Sequence, residues 1–471
     1  MTSPSLHLSA VAPVPSHLSQ RPPLSPHARQ AAALGQGAAD PVDPSVINPL
    51  DRGAVDSLDP DAVESILSEL AHKILRSSSQ GRVLLIPPDH TRKHSGAGRI
   101  TARLYELLTR EGAVVDIMPA LGTHAPMSCD QLRDMFGTDV PLDAFIVHRW
   151  KEDAVRLGVA RSELVRSLSE GAVGLPIEIS VNRRLVEGAY DHIVSIGQVV
   201  PHEVTGMSSY TKNLMVGCGG KGIIDGSHFM SAVYGIERVI GAVDTPARRL
   251  LDWAADRFLG SSHVVHVLTV NSMTARADGL ADTIGVFCGD TREVFENAAR
   301  LSRARNVVRL SAPLRKVVVY LDSGEYRTTW LACKAIYRTR KAIADGGHLL
   351  TIAPGLERFG EDDERDRLIR AYGYCGRAKI LKHLDRKSEL RENLSVAAHL
   401  IHGSTDGRFK VTVACQKLSR EEVEAVGFSY LPLGEALAKY DPGVLRPGYN
   451  TAADGDEMYF ISNPALGLWE V

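Results

Sequence analysis

Between Pro201 and His228 the chain reads PHEVTGMSSYTKNLMVGCGGKGIIDGSH. His202 comes first, Lys212 follows ten residues later, and His228 sixteen after that. The segment is glycine-rich and weakly helical, and it directly follows the apolar run HIVSIGQVV (192–200). A buried strand that opens into polar residues is where open α/β sheets bind ligands. A lysine there can form a covalent bond, and a histidine can move protons or ligate a metal. Taken alone, Lys212 reads as a surface lysine and His228 as a cap or loop residue. In PPDHTR (87–92), Arg92 carries a planar fork suited to a carboxylate, or forms a loop salt bridge. Asp89 suits a ribose hydroxyl or a backbone cap, and Thr91 a phosphate or a cap. His90 receives no role. His124 in LGTH (121–124) reads alone as polar surface, and Lys334 in WLACKA (330–335) as a solvated helix lysine.

Together these residues resemble the nickel-dependent lactate racemase family, in order from Asp89 to Lys334. In that family a histidine is followed ten residues on by a lysine, and sixteen later by a second histidine. The resemblance implies a nickel-pincer nucleotide (pyridinium-3-thioamide-5-thiocarboxylate mononucleotide) attached covalently at Lys212 as a thioamide. His228 would ligate the nickel, and Asp89 and Thr91 would bind the cofactor. Arg92 and Lys334 would anchor the substrate carboxylate. His124 and His202 would be the acid–base pair, since a racemase must serve both faces of one stereocentre. The implied activity is racemisation or epimerisation of a small 2-hydroxyacid, by reversible hydride transfer through a 2-oxoacid. The implied partners are that substrate and the cofactor-synthesis enzymes. The alternative is a non-catalytic homologue that binds the nucleotide cofactor without turnover. No GxSxG elbow supports a hydrolase. Two departures stand out. Met207-Ser208-Ser209-Tyr210 replaces a common Tyr-Ser-Gly-Gly, and Leu331 replaces a common glutamine. Both are expected to remove polar groups from the pocket and to disfavour lactate as best substrate.

The elements that must position these residues follow from periodicity. DPDAVESILSELAHKILRSS has helical spacing, with Asp59 as N-cap and Pro60 in the first turn. Val83–Ile86 is a buried strand stopped by two prolines. ITARLYELLTREG is a helix, AVVDIMPALG a strand, CDQLRDMFG a short helix and DAFIVHRW a strand. PIEISVNRRLVEG reads as a hairpin or two short strands, and DHIVSIGQVV as a buried strand. This alternation predicts an α/β fold with a mainly parallel sheet flanked by helices, its polar residues converging at one sheet edge. A second such domain is expected at 309–420, after a cofactor-binding domain at 49–308. KVVVYLD, HLLTIAP and KVTVACQ are its strands. RTTWLACKAIYRTRKAIADGG is its helix, closed by Gly346–Gly347. ERFGEDDERDRLIR reads as a solvated loop and helix face. The resemblance suggests that 421–471 returns to the first domain, with the active site in the interdomain cleft.

Residues 1–48 are rich in Pro, Ser, Ala and His and lack aromatic residues. They are expected to be a disordered tail rather than a targeting segment. The chain's 471 residues can bury two substantial cores. A net charge of −2 gives no reason to expect nucleic acid or an anionic membrane as partner. No apolar run reaches the roughly 18 residues that span a bilayer. The six cysteines form no CxxC pair and read as reduced thiols of a cytoplasmic protein. Cys218, in the Lys212–His228 segment, is the one that could approach a nickel site.

Overall fold

The computed structural model describes residues 58–260, 262–276, 278–385 and 389–471. The expected N-terminal tail lies outside them. The first helix spans Pro60–Ser77, and the Asp59 side chain accepts the Asp61 N–H at its start. The first sheet contains β1 (Arg82–Ile86), β2 (Val114–Ile117), β5 (His192–Gln198), β8 (Val264–Ala275) and β9 (Ala281–Gly289), in the order β2-β1-β5-β8-β9. All its pairings are parallel except the β9 edge. Helices Ala97–Arg110 and Cys129–Phe136 form where the periodicity places them, the second with a Ser128–Gln131 capping box.

An antiparallel pair, β3 (Ala154–Ala160) with β4 (Ile177–Asn182), stands apart from this sheet. A two-residue hairpin, β6 (Pro201–His202) with β7 (Gly206–Met207), follows β5. β10 (Val307–Arg309) then leads into the second sheet. That sheet has six strands in the order β14-β13-β12-β11-β16-β15. They are β11 (Leu314–Tyr320), β12 (Ile343–Ile352), β13 (Lys410–Cys415), β14 (Ser429–Pro432), β15 (Gly448–Thr451) and β16 (Glu457–Ile461). Only the β15 edge is antiparallel. The mixed α/β architecture with parallel-dominated sheets is the one expected. Among the described residues no helix is long and apolar enough to cross a membrane.

Four details differ from expectation. DAFIVHRW is not a strand. Phe145 makes one isolated bridge to Ile117, and the chain then leaves the sheet. His148 explains this: its Nε2 donates to the Gly219 carbonyl (3.1 Å) and its Nδ1 accepts from Asn182 (3.0 Å). PIEISVNRRLVEG supplies only β4, and Arg184–Glu187 turns helical. The long helix expected through Gly346–Gly347 is two short ones, Thr329–Ala332 and Lys334–Thr339. β12 already begins at Ile343, and Gly346 sits within it at φ +75°, beside a register shift. Most of 421–471 is built into the second sheet as β14–β16. The end of the chain does reach back: Pro464–Leu466 packs against β8, and β17 (Leu468–Glu470) pairs with β10.

The two halves share one apolar cluster that includes Leu84 and Ile86 of β1 and Val317 and Leu349 of the second sheet. Helix Lys221–Tyr234 packs against helix Leu394–His402 across the junction. Arg340 fastens the same junction and is 1% exposed. Its Nε donates to Glu237 (2.8 Å), and one Nη donates to the carbonyls of His402 (2.9 Å) and Ser404 (3.1 Å). Removing the guanidinium strands two buried carbonyls. Arg340→Ala should therefore lower the free energy of urea unfolding by about 3 kcal/mol. A change under about 0.5 kcal/mol, typical of surface substitutions, would show that the junction does not depend on it.

Candidate active site

Three neighbouring parallel strands deliver the first-half residues. After β1 the Pro87–Pro88 turn leads to Asp89 and a 3-10 segment, His90–Ser95. After β2 the chain reaches His124, and after β5 the hairpin carries His202. Because β2, β1 and β5 are adjacent, their C-terminal ends meet on one rim. The second half contributes Lys334 from its short helix. All eight candidates, Asp89, Thr91, Arg92, His124, His202, Lys212, His228 and Lys334, line a single cavity between the two halves.

Asp89 is 6% exposed and carries two jobs. One oxygen accepts from the Thr91 N–H (3.0 Å) and hydroxyl (2.5 Å), which caps the 3-10 segment. The other lies 2.5 Å from His124 Nδ1. Burial alone would raise the Asp89 carboxyl, but the charge and hydrogen bond of His124, with help from Arg92 and Thr91, hold it well below the usual range. Burial likewise pulls His124 down, and the charge and hydrogen bond of Asp89 outweigh it, so His124 is raised. With Nδ1 donating to Asp89, the Nε2 of His124 is left for the cavity.

His202 is held the other way round. Its Nδ1 accepts the Val204 N–H (3.1 Å). Its Nε2 lies 3.8 Å from Glu203 Oε1. Burial drives its pKa well below that of a free histidine, with Lys212 and Arg92 adding to the effect against Glu203. The neutral ring therefore carries its proton on Nε2 and is a donor, whereas neutral His124 presents an acceptor.

Lys212 opens a π-turn, Asn213–Gly217, a rare element often found at functional sites. No hydrogen bond or ion pair to a described residue holds its ammonium. Burial, then the charge of Arg92, bring it down to about 8. The loop before it is strained: Ser209 and Tyr210 have φ of +62° and +59°. Arg248, 0% exposed, clamps this loop. It donates to the carbonyls of Met207 (2.7 Å) and Ser209 (3.2 Å) and to the Thr211 hydroxyl (2.8 Å). Tyr210 stacks on Phe295 with ring centroids 5.1 Å apart.

His228 lies within helix Lys221–Tyr234, and its Nδ1 donates to the Ile224 carbonyl (2.7 Å). Nε2 is thus the free lone pair. Burial lowers its pKa, which keeps the ring neutral, the form that can ligate a metal. Lys334 is 7% exposed, 3.3 Å from Glu325, and lowered chiefly by burial. It faces the cavity rather than solvent.

Several expectations need correction. Met207 is fully buried in an apolar cluster and does not line the cavity, so that departure removes nothing from it, whereas Leu331 does line it. Cys218 is buried in the core, away from the cavity. His90 turns aside to Asp134 at 2.8 Å. The glycines after Lys212 serve packing: a Cβ on Gly220 would meet Ser180 Oγ at 2.4 Å, and one on Gly222 would meet Glu178 Cβ at 2.7 Å, both on β4. Gln198, Glu203, Ser209, Trp330 and Tyr337 also line the cavity and escaped sequence reasoning. Glu203 directly follows His202 and Gln198 ends β5, and that adjacency was the available signal.

Residues 59–238 match the lactate racemase N-terminal domain family. Over that span the chain is similar to this family. The match takes in every candidate except Lys334. A search of curated proteins returns no match. Among solved structures, a protein from Thermotoga maritima shares the fold with a TM-score of 0.75 at 24% identity, over 88% of this chain and 99% of that one. The lactate racemase apoprotein from Thermoanaerobacterium thermosaccharolyticum shares it with a TM-score of 0.63 at 18% identity, over 86% of this chain and 93% of that one.

The Asp89–His124 pair can be checked without any ligand. By NMR titration, His124 should titrate above an ordinary histidine. Asp89→Asn removes the charge that opposes desolvation, so the midpoint should fall below its wild-type value. An unmoved midpoint would show that Asp89 does not set the protonation of His124.

Proposed function

We propose that this protein is a racemase or epimerase of a 2-hydroxyacid, dependent on a nickel-pincer nucleotide tethered at Lys212. The observation that carries the reading is the single cavity in which an unpartnered lysine and a histidine with a free Nε2 face two further histidines and two carboxylate-binding cations. The donor set fits such a cofactor. Among the described residues no three His, Cys, Asp or Glu side chains cluster as a metal site. A nickel ion here would thus take its protein nitrogen from His228 and its other ligands from an organic group. Lys212, with a pKa near 8, offers a nucleophilic amine for attachment. Asp89 and Thr91 stand where a nucleotide would be held.

When bound, the cofactor would supply reversible two-electron acceptance from carbon 2. The protein's own part is positioning and proton transfer. Arg92 and Lys334 hold the carboxylate while carbon 2 changes face. His124, its Nδ1 fixed by Asp89, accepts the hydroxyl proton at Nε2. His202, with its proton on Nε2, donates a hydrogen bond to the same oxygen from its own side. Loss of either histidine breaks the round trip.

The test uses protein made alongside the cofactor-synthesis enzymes. Its intact mass should include the nucleotide and its metal content nickel, and it should racemise at least one member of a 2-hydroxyacid panel. Lys212→Ala should lack the covalent mass while remaining folded, and His228→Ala should lose more nickel than cofactor. His124→Ala and His202→Ala should each lower racemisation about 100-fold or more. Full cofactor mass and nickel with no turnover on any member would instead favour a non-catalytic binding protein. An unchanged adduct in Lys212→Ala would remove Lys212 as the tether.

A further inference from the structure

Lys212 raises a question that the cofactor reading leaves open, namely what its amine does before anything is attached. We propose that the cofactor-free protein captures 2-oxoacids as a Schiff base on Lys212, with Arg92 holding the carboxylate. This goes beyond the racemase reading and does not depend on it.

The geometry supplies each requirement. Lys212 is half-buried in the cavity wall, and no described residue holds its amine by hydrogen bond or ion pair. Arg92 lines the same cavity and forms no ion pair with a described carboxylate, so its fork is available for a ligand. It sits at a kink, φ −112° and ψ 22°, inside the 3-10 segment that Asp89 caps. A lysine desolvated beside another cation keeps a share of neutral amine near neutral pH, and that is the form that attacks carbonyls. His202, its Nδ1 occupied by the Val204 N–H, presents an Nε2–H to the cavity as a donor for a carbonyl oxygen. The Trp330 and Tyr337 side chains cover the site from the other half.

The chemistry closes without an outside oxidant. The amine lone pair forms a C–N bond to the ketone carbon, and one amine proton moves to the former carbonyl oxygen. The resulting carbinolamine loses that oxygen as water, which carries away the second amine proton. Amine plus 2-oxoacid gives imine plus water, and hydrolysis reverses it. His124 and His202 are placed to relay both protons. With Lys212 also the tether of the proposed function, a 2-oxoacid and an incoming cofactor would contend for the same nitrogen, so the oxoacid would delay maturation.

The test uses the full chain made without cofactor-synthesis enzymes, incubated with pyruvate and sodium cyanoborohydride and mapped by peptide mass spectrometry. The reduced adduct should accumulate on Lys212 at least about tenfold faster than on any other lysine, given the larger share of free amine that a lowered pKa confers. Lys212→Arg, with folding checked by circular dichroism, should lose that adduct. Arg92→Gln should slow labelling by pyruvate more than labelling by acetone, which has no carboxylate and registers only the lost charge beside the amine. Adducts spread over many lysines, an unlabelled Lys212, or an effect of Arg92→Gln that is the same for pyruvate as for acetone would each overturn the inference. No cofactor enters this assay, so its failure is separate from any failure to load nickel or to racemise.

Discussion

The cavity buries more positive charge than its own carboxylates can match, and much of the structure around it answers that constraint. Arg92, Lys212 and Lys334 line it against Asp89 and Glu203, while the charges of Arg338 and Glu325 act on it from outside its lining. An ion taken out of water without a partner is costly. Lys334 is relieved by Glu325, and Asp89 is engaged with His124 and Thr91. The Glu203 charge opposes the desolvation of Lys212, Lys334, Arg338 and His228 together. Among the described residues no carboxylate forms an ion pair with Lys212 or Arg92. Lys212 responds by holding its proton loosely. The unmet charge also makes an anionic guest, a carboxylate or a phosphate, the natural complement of the space.

The sheets explain how such a site can be rigid. Asp89, His124 and His202 leave three adjacent parallel strands, so their spacing is set by the ladder and not by loop sequence. Short anchors then fix each side chain: the Asp89 cap, the Val204 N–H on His202 and the Ile224 carbonyl on His228. The second half closes the cavity through helices that Arg340 and the shared core hold against the first. Each ring nitrogen tied to the scaffold decides which nitrogen of that histidine is left for chemistry.

Much of this was legible in the sequence, because strand ends and polar residues recur together. PPDH, LGTH and PH each follow an apolar run, and that pattern needs no tertiary information. What was not legible depended on contacts between distant segments. DAFIVHRW has a strand's composition, yet His148 is drawn to Gly219 and Asn182, which no local window contains. The helix around Lys334 has helical spacing, yet Lys334 faces inward because the other half covers it. The resemblance puts Met207 at the pocket in place of a tyrosine, but its side chain packs in the buried cluster with Leu268 and Phe295. Gly220 and Gly222 after Lys212 admit β4, a contact that a glycine-rich run does not reveal by itself.

The loop before Lys212 shows how firmly the fold imposes its own backbone. Two consecutive residues with side chains, Ser209 and Tyr210, adopt the left-handed conformation that glycine takes at no steric cost. Each such residue costs roughly 1–2 kcal/mol. The compensation is local and visible. Tyr210 buries its ring between Phe295 and His266, and Arg248 takes the carbonyls of Met207 and Ser209 from the other side. A glycine at 210 would remove the strain but also the stacked ring, so the side chain helps to fix the turn that it makes unfavourable. The direction in which Lys212 leaves the backbone is thus set by a buried guanidinium and an aromatic stack. Phe295 does not line the cavity, so a substitution there would reach the amine by moving that turn, whereas one at Arg248 would also remove a charge that acts on the amine directly.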